Sequence, residues 1–143
     1  MIYIKKNNFC KMIIVKNGQL NNETVSSLNS LIELDINAKL AFRLMRIIKE
    51  ISSLVDDKIK LEKKIFDKYV EKDEEGNPVM AKDEAGNIIN GAVKIKNMEA
   101  FNQEMMDLQS IENKIDYEPV NFDELNLNTA KIKDLFKIEF LFS

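Results

Sequence analysis

Two carboxylates interrupt otherwise apolar helical lines and are the first candidates for chemistry: Glu62 and Glu112. An inward-facing carboxylate can act as general acid or base, or ligate a metal in a helical bundle, where further carboxylates and histidines normally join it. This chain has no histidine and a single cysteine, Cys10. Histidine is the usual base behind a serine or cysteine nucleophile and the commonest metal ligand, so triads, zincins and histidine-containing zinc sites are excluded. Carboxylate chemistry, with or without magnesium, and lysine chemistry survive. The structural reading is the ordinary one: Glu112 pairs with Lys58 and fixes the register of two helices, and Glu62 lies at a thin edge of the core.

A calcium loop is the other test. Asp73, Glu75, Asn77 and Glu84 fit positions 1, 3, 5 and 12 of an EF-hand count. Position 6, which requires glycine, is Pro78, and the second copy of the motif puts Lys94 at position 12. The segment therefore reads as a hairpin turn. No catalytic residue, metal ligand or cofactor is assigned, and the chain is read as a non-enzyme.

The elements that must position these residues are organised around Ile36 to Val70, a predicted helix of about 35 residues and roughly 50 Å. At 100° per residue, Leu44, Ile48, Ile51, Val55, Ile59, Phe66 and Tyr69 fall on one line, with Leu40, Ala41, Ile47 and Ile65 at its margins. Lys39, Arg43, Arg46, Lys49, Asp57, Lys60, Lys63, Lys64 and Lys68 fall opposite. This is the apolar stripe and solvated back of an amphipathic helix.

Ahead of it, Ile2 to Ile4 and Met12 to Lys16 read as strands, the second running into the turn signal Asn17-Gly18, where both residues tolerate positive φ. Met12 also reads as an alternative start, which would make residues 1–11 an upstream extension. Asn21 or Asn22 caps a short helix facing Val25, Leu28 and Leu31 or Ile32 inward, and Asp35 or Asn37 caps the long one. Lys72-Asp73-Glu74-Glu75-Gly76-Asn77 recurs as Lys82-Asp83-Glu84-Ala85-Gly86-Asn87, predicting two successive turns of an antiparallel meander that ends in a strand at Ala92 to Ile95.

Asn97 caps a second helix, Met98 to about Asp116, with Met98, Phe101, Met105, Leu108 and Ile115 on its stripe and Pro119 as its stop. Pairing Tyr69 with Met98 sets Glu112 near Val55 and Lys58, and Glu62 near Met105. The tail reads as a strand from Val120 through Phe122, a cap at Asn128 or Thr129, and a last helix or strand carrying Ile132, Leu135, Phe136, Phe140 and Phe142.

The expected fold is thus α+β, mainly α: a long antiparallel helical hairpin with a small antiparallel sheet or meander at its tip and N-terminus. At 143 residues the chain supports one domain spanning 1–143. Its parts are N-terminal strands (1–20), helices (21–70), a meander insertion (71–96), a second hairpin helix (97–118) and a C-terminal tail or helix (119–143). No apolar run reaches 18 residues and the start lacks a signal-peptide pattern, so a cytoplasmic protein with no membrane partner is expected.

Partner classes are weighed by charge and exposed apolar surface. The back of the long helix is positively biased, yet Glu50, Asp56, Asp57 and Asp67 interrupt it, no aromatics interleave, and the net charge is −3. Nucleic acid is therefore a secondary reading. Glu99 to Glu124 form an acidic run facing only Lys114, which would also suit a decoy for a nucleic-acid-binding protein. The phenylalanines of the tail are either core or offered to a partner. The candidate partner-binding residues are Arg43, Arg46, Lys49, Lys60, Lys63, Lys64, Phe136, Phe140 and Phe142.

Several stretches together resemble a family of small uncharacterised proteins in phages and prophages of low-GC Gram-positive bacteria. They are the start Met12-Ile13-Ile14-Val15-Lys16-Asn17-Gly18-Gln19-Leu20, a leucine-rich first helix, a long lysine-rich helix, Glu71 through Val79, and Val93 through Asn102. The similarity covers Met12 to the C-terminus. It implies a phage-encoded protein acting inside the infected cell, with no active-site residues to carry over. The function expected is binding and modulation of another protein, host or phage, as an inhibitor of a host or defence factor. A self-associating assembly or scaffold component, a homo-oligomer, is the first alternative, and a nucleic-acid binder using the basic helix face is the second. A small-molecule site at an oligomer interface leaves no readable trace in the sequence.

Overall fold

The computed structural model describes residues 12–125, Leu135 and residues 137–142. The expected strand at Ile2 to Ile4, Cys10, the cap at Asn128 or Thr129, Ile132 and Phe136 lie outside the described residues. The fold is α+β and mainly helical. In chain order its elements are β1 (Ile13–Lys16), α1 (Asn22–Ile32), α2 (Ala38–Tyr69), β2 (Met80–Lys82), β3 (Ile88–Val93), α3 (Met98–Ser110) and β4 (Glu112–Ile115).

Each helix begins where a short polar side chain takes up a free N–H. The Oδ1 atoms of Asn21, Asn37 and Asn97 accept from the amides of Thr24 at 2.9 Å, Leu40 at 2.8 Å and Ala100 at 3.1 Å. α2 runs unbroken for 32 residues, roughly 48 Å at 1.5 Å per residue. It stops at Val70, whose backbone turns extended and bridges to Ile95.

The core is gathered around the N-terminal half of α2. Leu40, Leu44, Ile47, Ile48, Ile51 and Val55 are buried there against Ile13 and Val15 of β1, Leu28 and Leu31 of α1, and Ile115 of β4. Val120, Leu125, Ile138 and Leu141 close it from the C-terminal side. The predicted line shifts accordingly. Leu40 and Ile47, read as margins, are fully buried, whereas Ile59 is 45% exposed. Among the described residues, elements on several sides cover a broad arc of the first half of α2, while its second half is covered mainly by α3.

The helical hairpin forms with its register moved about one turn from the expected pairing. Tyr69 stacks edge-on against Phe101 with ring centroids 6.0 Å apart, and Glu62 meets Gln109 rather than Met105. α3 ends at Ser110 and not near Asp116, so Pro119 is not its stop. Ile111 turns extended and β4 pairs antiparallel with β1, Ile13 opposite Ile115 and Lys16 opposite Glu112. Glu112 is therefore a strand residue and has no pairing with Lys58. Tertiary pairing overrides helical periodicity here, because Ile115 completes a strand face with Ile13 and Val15.

Asn17-Gly18 does not make a hairpin either. Asn17–Gln19 form a 3-10 turn, and Gly18 is not among the glycines with positive φ. Nor does β1 join the meander: β1–β4 and β2–β3 are separate two-stranded sheets. Val120 forms a single parallel bridge to Phe142 in place of the expected strand, followed by a 3-10 turn at Phe122–Glu124.

Both predicted turns of the meander form, and its last strand is β3, Ile88–Val93, rather than Ala92 to Ile95, of which Ile95 makes an isolated bridge to Val70. Asp73 and Asp83 each accept, through Oδ1, the amide of the asparagine four residues on, at 2.9 and 2.8 Å, and Gly76 and Gly86 take φ of +85° and +84°. The repeat thus codes the same turn twice. Its base is closed by a cycle of backbone bonds: Glu71 N–H to Lys94 C=O at 2.8 Å, Lys94 N–H to Val79 C=O at 2.7 Å, and Val79 N–H to Glu71 C=O at 2.8 Å. In β3, residues 89–92 bulge opposite the single residue Ala81, with Gly91 at φ +76°. A Cβ on Gly86 would meet nothing within 4 Å, so Gly86→Ala carries a purely conformational cost. We predict a loss of about 1–2 kcal/mol, with Gly86→Asn losing less. Urea melts of the two variants would check it, and equal stability of Gly86→Ala and wild type would contradict it.

Candidate interaction surface

The predicted partner-binding residues separate into distinct places. Arg43 is engaged, its Nη2 lying 3.3 Å from Glu124 Oε2, which ties α2 to the segment after β4. Arg46 stacks its guanidinium over the Phe42 ring, 4.9 Å from the centroid. Phe42 and its neighbour Met45 are 58% and 56% exposed, unusual for large apolar side chains on the outer face of a helix. Lys49 stands one turn beyond Arg46.

Arg46 and Lys49 line a groove of about 440 Å³ with Glu50, Ser53 and Tyr117. A second groove of about 450 Å³ shares Glu50 and Ser53 and continues past Leu54 along Glu112, Asn113, Lys114 and Ile115. Together they make a channel with the flank of α2 as one wall, and β4 with Tyr117 as the other. Lys60, Lys63 and Lys64 are exposed but lie 14 to 18 residues farther along α2 than Arg46, roughly 21–27 Å away at 1.5 Å per residue. Phe140 and Phe142 are half-buried against the core. The structure thus brings Arg46 and Lys49 together at the groove and leaves the lysine triplet, Phe140 and Phe142 elsewhere.

Tyr117, Ser53 and Lys114 were not singled out from sequence. Tyr117 gave a faint signal as an aromatic residue inside the polar run Asp116 to Glu118. The others face the groove only because β4 folds back beside α2.

The acidic candidates do not converge. Glu62 accepts from Gln109 Nε2 at 3.0 Å and sits 3.4 Å from Lys58 Nζ. Lys58 is itself buried, 9% exposed, and donates to the Leu20 carbonyl at 2.6 Å. Glu112 lies opposite Lys16. Asp73 Oδ1 is occupied by the amides of Glu75 and Asn77. Among the described residues no group of three His, Cys, Asp or Glu side chains could hold a metal ion, and no helix is long and apolar enough to cross a membrane.

One carboxylate cluster does act at the hairpin. Glu104 Oε1 accepts from Lys68 Nζ and, at 2.7 Å, from Tyr69 OH. The hydrogen bond from Lys68, then that from Tyr69, holds the Glu104 carboxyl below its ordinary range, and the same bonds raise Lys68 and Tyr69. A depressed folded-state pKa contributes stability that is complete above the ordinary value near 4.5 and is lost as pH falls through the lowered one. Acid should therefore loosen the end of α2 from α3. Amide exchange at Tyr69 and Lys96 followed below pH 5 would show it, and Glu104→Gln should abolish that pH dependence.

Compared with protein-family models, curated proteins and solved structures, the chain matches none.

Proposed function

We propose that this is a non-enzymatic, phage-encoded protein that acts in the host cytoplasm by binding another protein and modulating it, as an inhibitor of a host or defence factor. One observation carries the binding surface: Arg46 and Lys49 border an open channel with no ion pair among the described residues, next to the exposed Phe42 and Met45. An arginine without a carboxylate partner, flanked by exposed aromatic and thioether side chains, matches the composition of protein-binding patches. The phage assignment rests on the resemblance of residues 12 onward.

The test is capture of partners from infected and uninfected lysates by tagged wild type and by the double variant Arg46→Glu, Lys49→Glu. Both substitutions lie on an exposed helix face and should leave the fold intact. A stoichiometric protein held by wild type, and about tenfold or more weakly by the variant, is expected. No stoichiometric protein in either lysate overturns the reading.

Self-association is favoured by a different observation. Met80, Ile88 and Ile89 on the β2–β3 hairpin and Met98 at the start of α3 are all exposed apolar residues. Light scattering of wild type and of Ile88→Lys, Ile89→Lys at high concentration decides it, since a strict monomer in both removes the option.

A further inference from the structure

Among the described residues β4 has one strand partner, β1, and its other edge opens on the channel beside α2. Glu112, Asn113, Lys114 and Ile115 all line that channel. Side chains of a strand alternate between faces, so four consecutive residues line one groove through the strand's edge. The ladder fixes which backbone groups lie there. Asn17 N–H donates to the Ile111 carbonyl at 2.9 Å, in the register that pairs Val15 with Asn113 and Ile13 with Ile115. Hydrogen-bonded pairs alternate along an antiparallel ladder, so the N–H and C=O groups of Glu112 and Lys114 point away from β1 into the channel. Among the described residues, no backbone hydrogen bond outside the ladder engages them.

Charge selects what fits. The walls carry Arg46, Lys49 and Lys114 against Glu50 and Glu112, and none of the three cations is in an ion pair among the described residues. The excess is positive and concentrated at the Tyr117 end, where Glu50 is the one acid facing Arg46 and Lys49 among the described residues.

We propose that the channel takes an extended, acidic segment of the partner protein, which adds to β4 as a third strand. The proposal rests on the reading of the α2 flank as a binding surface and specifies how the partner is held there. Backbone bonds to Glu112 and Lys114 provide the docking, and acidic side chains beside Arg46, Lys49 and Lys114 provide the selectivity.

The probe is a capped eight-residue peptide alternating valine and glutamate, added to the full-length protein. Four companions accompany it: the same peptide with lysine for glutamate, one with proline at every valine, and two N-methylated on opposite alternate sets of backbone nitrogens. In a bound strand only one alternate set faces β4. The glutamate peptide should slow amide exchange at Glu112 and Lys114 by about tenfold or more. The lysine peptide should bind at least about tenfold more weakly, more so at low salt. The proline peptide should not bind, and one N-methylated peptide should lose binding by about tenfold while the other keeps it.

Unchanged exchange at Glu112 and Lys114, equal binding of both N-methylated peptides, or equal binding of the lysine peptide overturns strand addition. The two proposals fail separately. A partner captured through Arg46 and Lys49 that leaves exchange at Glu112 and Lys114 unaltered sinks the strand and keeps the binding function. Peptide binding with no protein partner in any lysate does the reverse.

Discussion

Replacing Ile51 with alanine should destabilise the protein by about 2–5 kcal/mol, whereas Ile59→Ala should stay within about 0.5 kcal/mol of wild type. Both residues lie on the apolar line read from the sequence, two turns apart. Ile51 is fully buried among Leu44, Ile47 and Val55, where β1, β4 and α1 converge on α2. Removing its side chain beyond Cβ loses the transfer free energy of those carbons and leaves a cavity that rigid strands cannot fill. Ile59 is 45% exposed, and alanine's better helix propensity offsets the little contact it gives up. Urea denaturation with fluorescence or circular dichroism measures both. Comparable losses at the two sites would mean that the long helix is covered evenly along its length, contrary to the asymmetric core described above.

The second large effect is expected at Asn17, a residue whose sequence context advertises only a turn. Its Nδ2 donates to the Leu108 carbonyl at 2.8 Å, its Oδ1 accepts from Asn113 Nδ2 at 2.7 Å, and its amide donates to the Ile111 carbonyl. One buried side chain thus satisfies a carbonyl in the last turn of α3 and holds β4 in place. Asn17→Ala takes these partners from the Leu108 carbonyl and the Asn113 side-chain amide, leaving Leu108 the long 3.4 Å bond from Ile111 N–H and Asn113 its bond to the Val15 carbonyl. The expected loss is about 1–3 kcal/mol, and more if the β1–β4 pairing loosens with it. Asn17→Asp should lose a similar amount, because a carboxylate cannot donate to Leu108. Full stability of Asn17→Ala, with unchanged amide exchange at Asn113 and Ile115, would remove Asn17 from this role. The consequence reaches the proposed site, since Asn17 anchors the strand whose outer edge forms one wall of the channel.

Lys58 belongs to the same junction. Helical periodicity pairs it with Glu112 across a hairpin, yet its ammonium joins the Leu20 carbonyl and Glu62. A lysine stem fits a mostly apolar surface while its head finds oxygen, so the sequence pattern was compatible with either arrangement. Only the position of the turn after β1 chose between them.

Local signals in the sequence were enough for the continuous rod of α2, the Asn97 cap of α3, the tandem turns at Asp73 and Asp83, and the α+β character of the chain; for α1 and α2 they left two cap candidates each, of which the structure uses Asn21 and Asn37. Each depends on contacts within a few residues: a side-chain oxygen over a free amide, a glycine at positive φ, an apolar face every three or four positions. The tertiary structure alone decided where α3 ends, which strand meets β1, which part of the α2 stripe is buried and which cations share a groove. Those outcomes join residues such as Val15 and Asn113 that are far apart along the chain. Helical periodicity through Ile115 and strand alternation through Ile115 fit the same residues, and the choice between them was made by a partner strand that no local pattern describes.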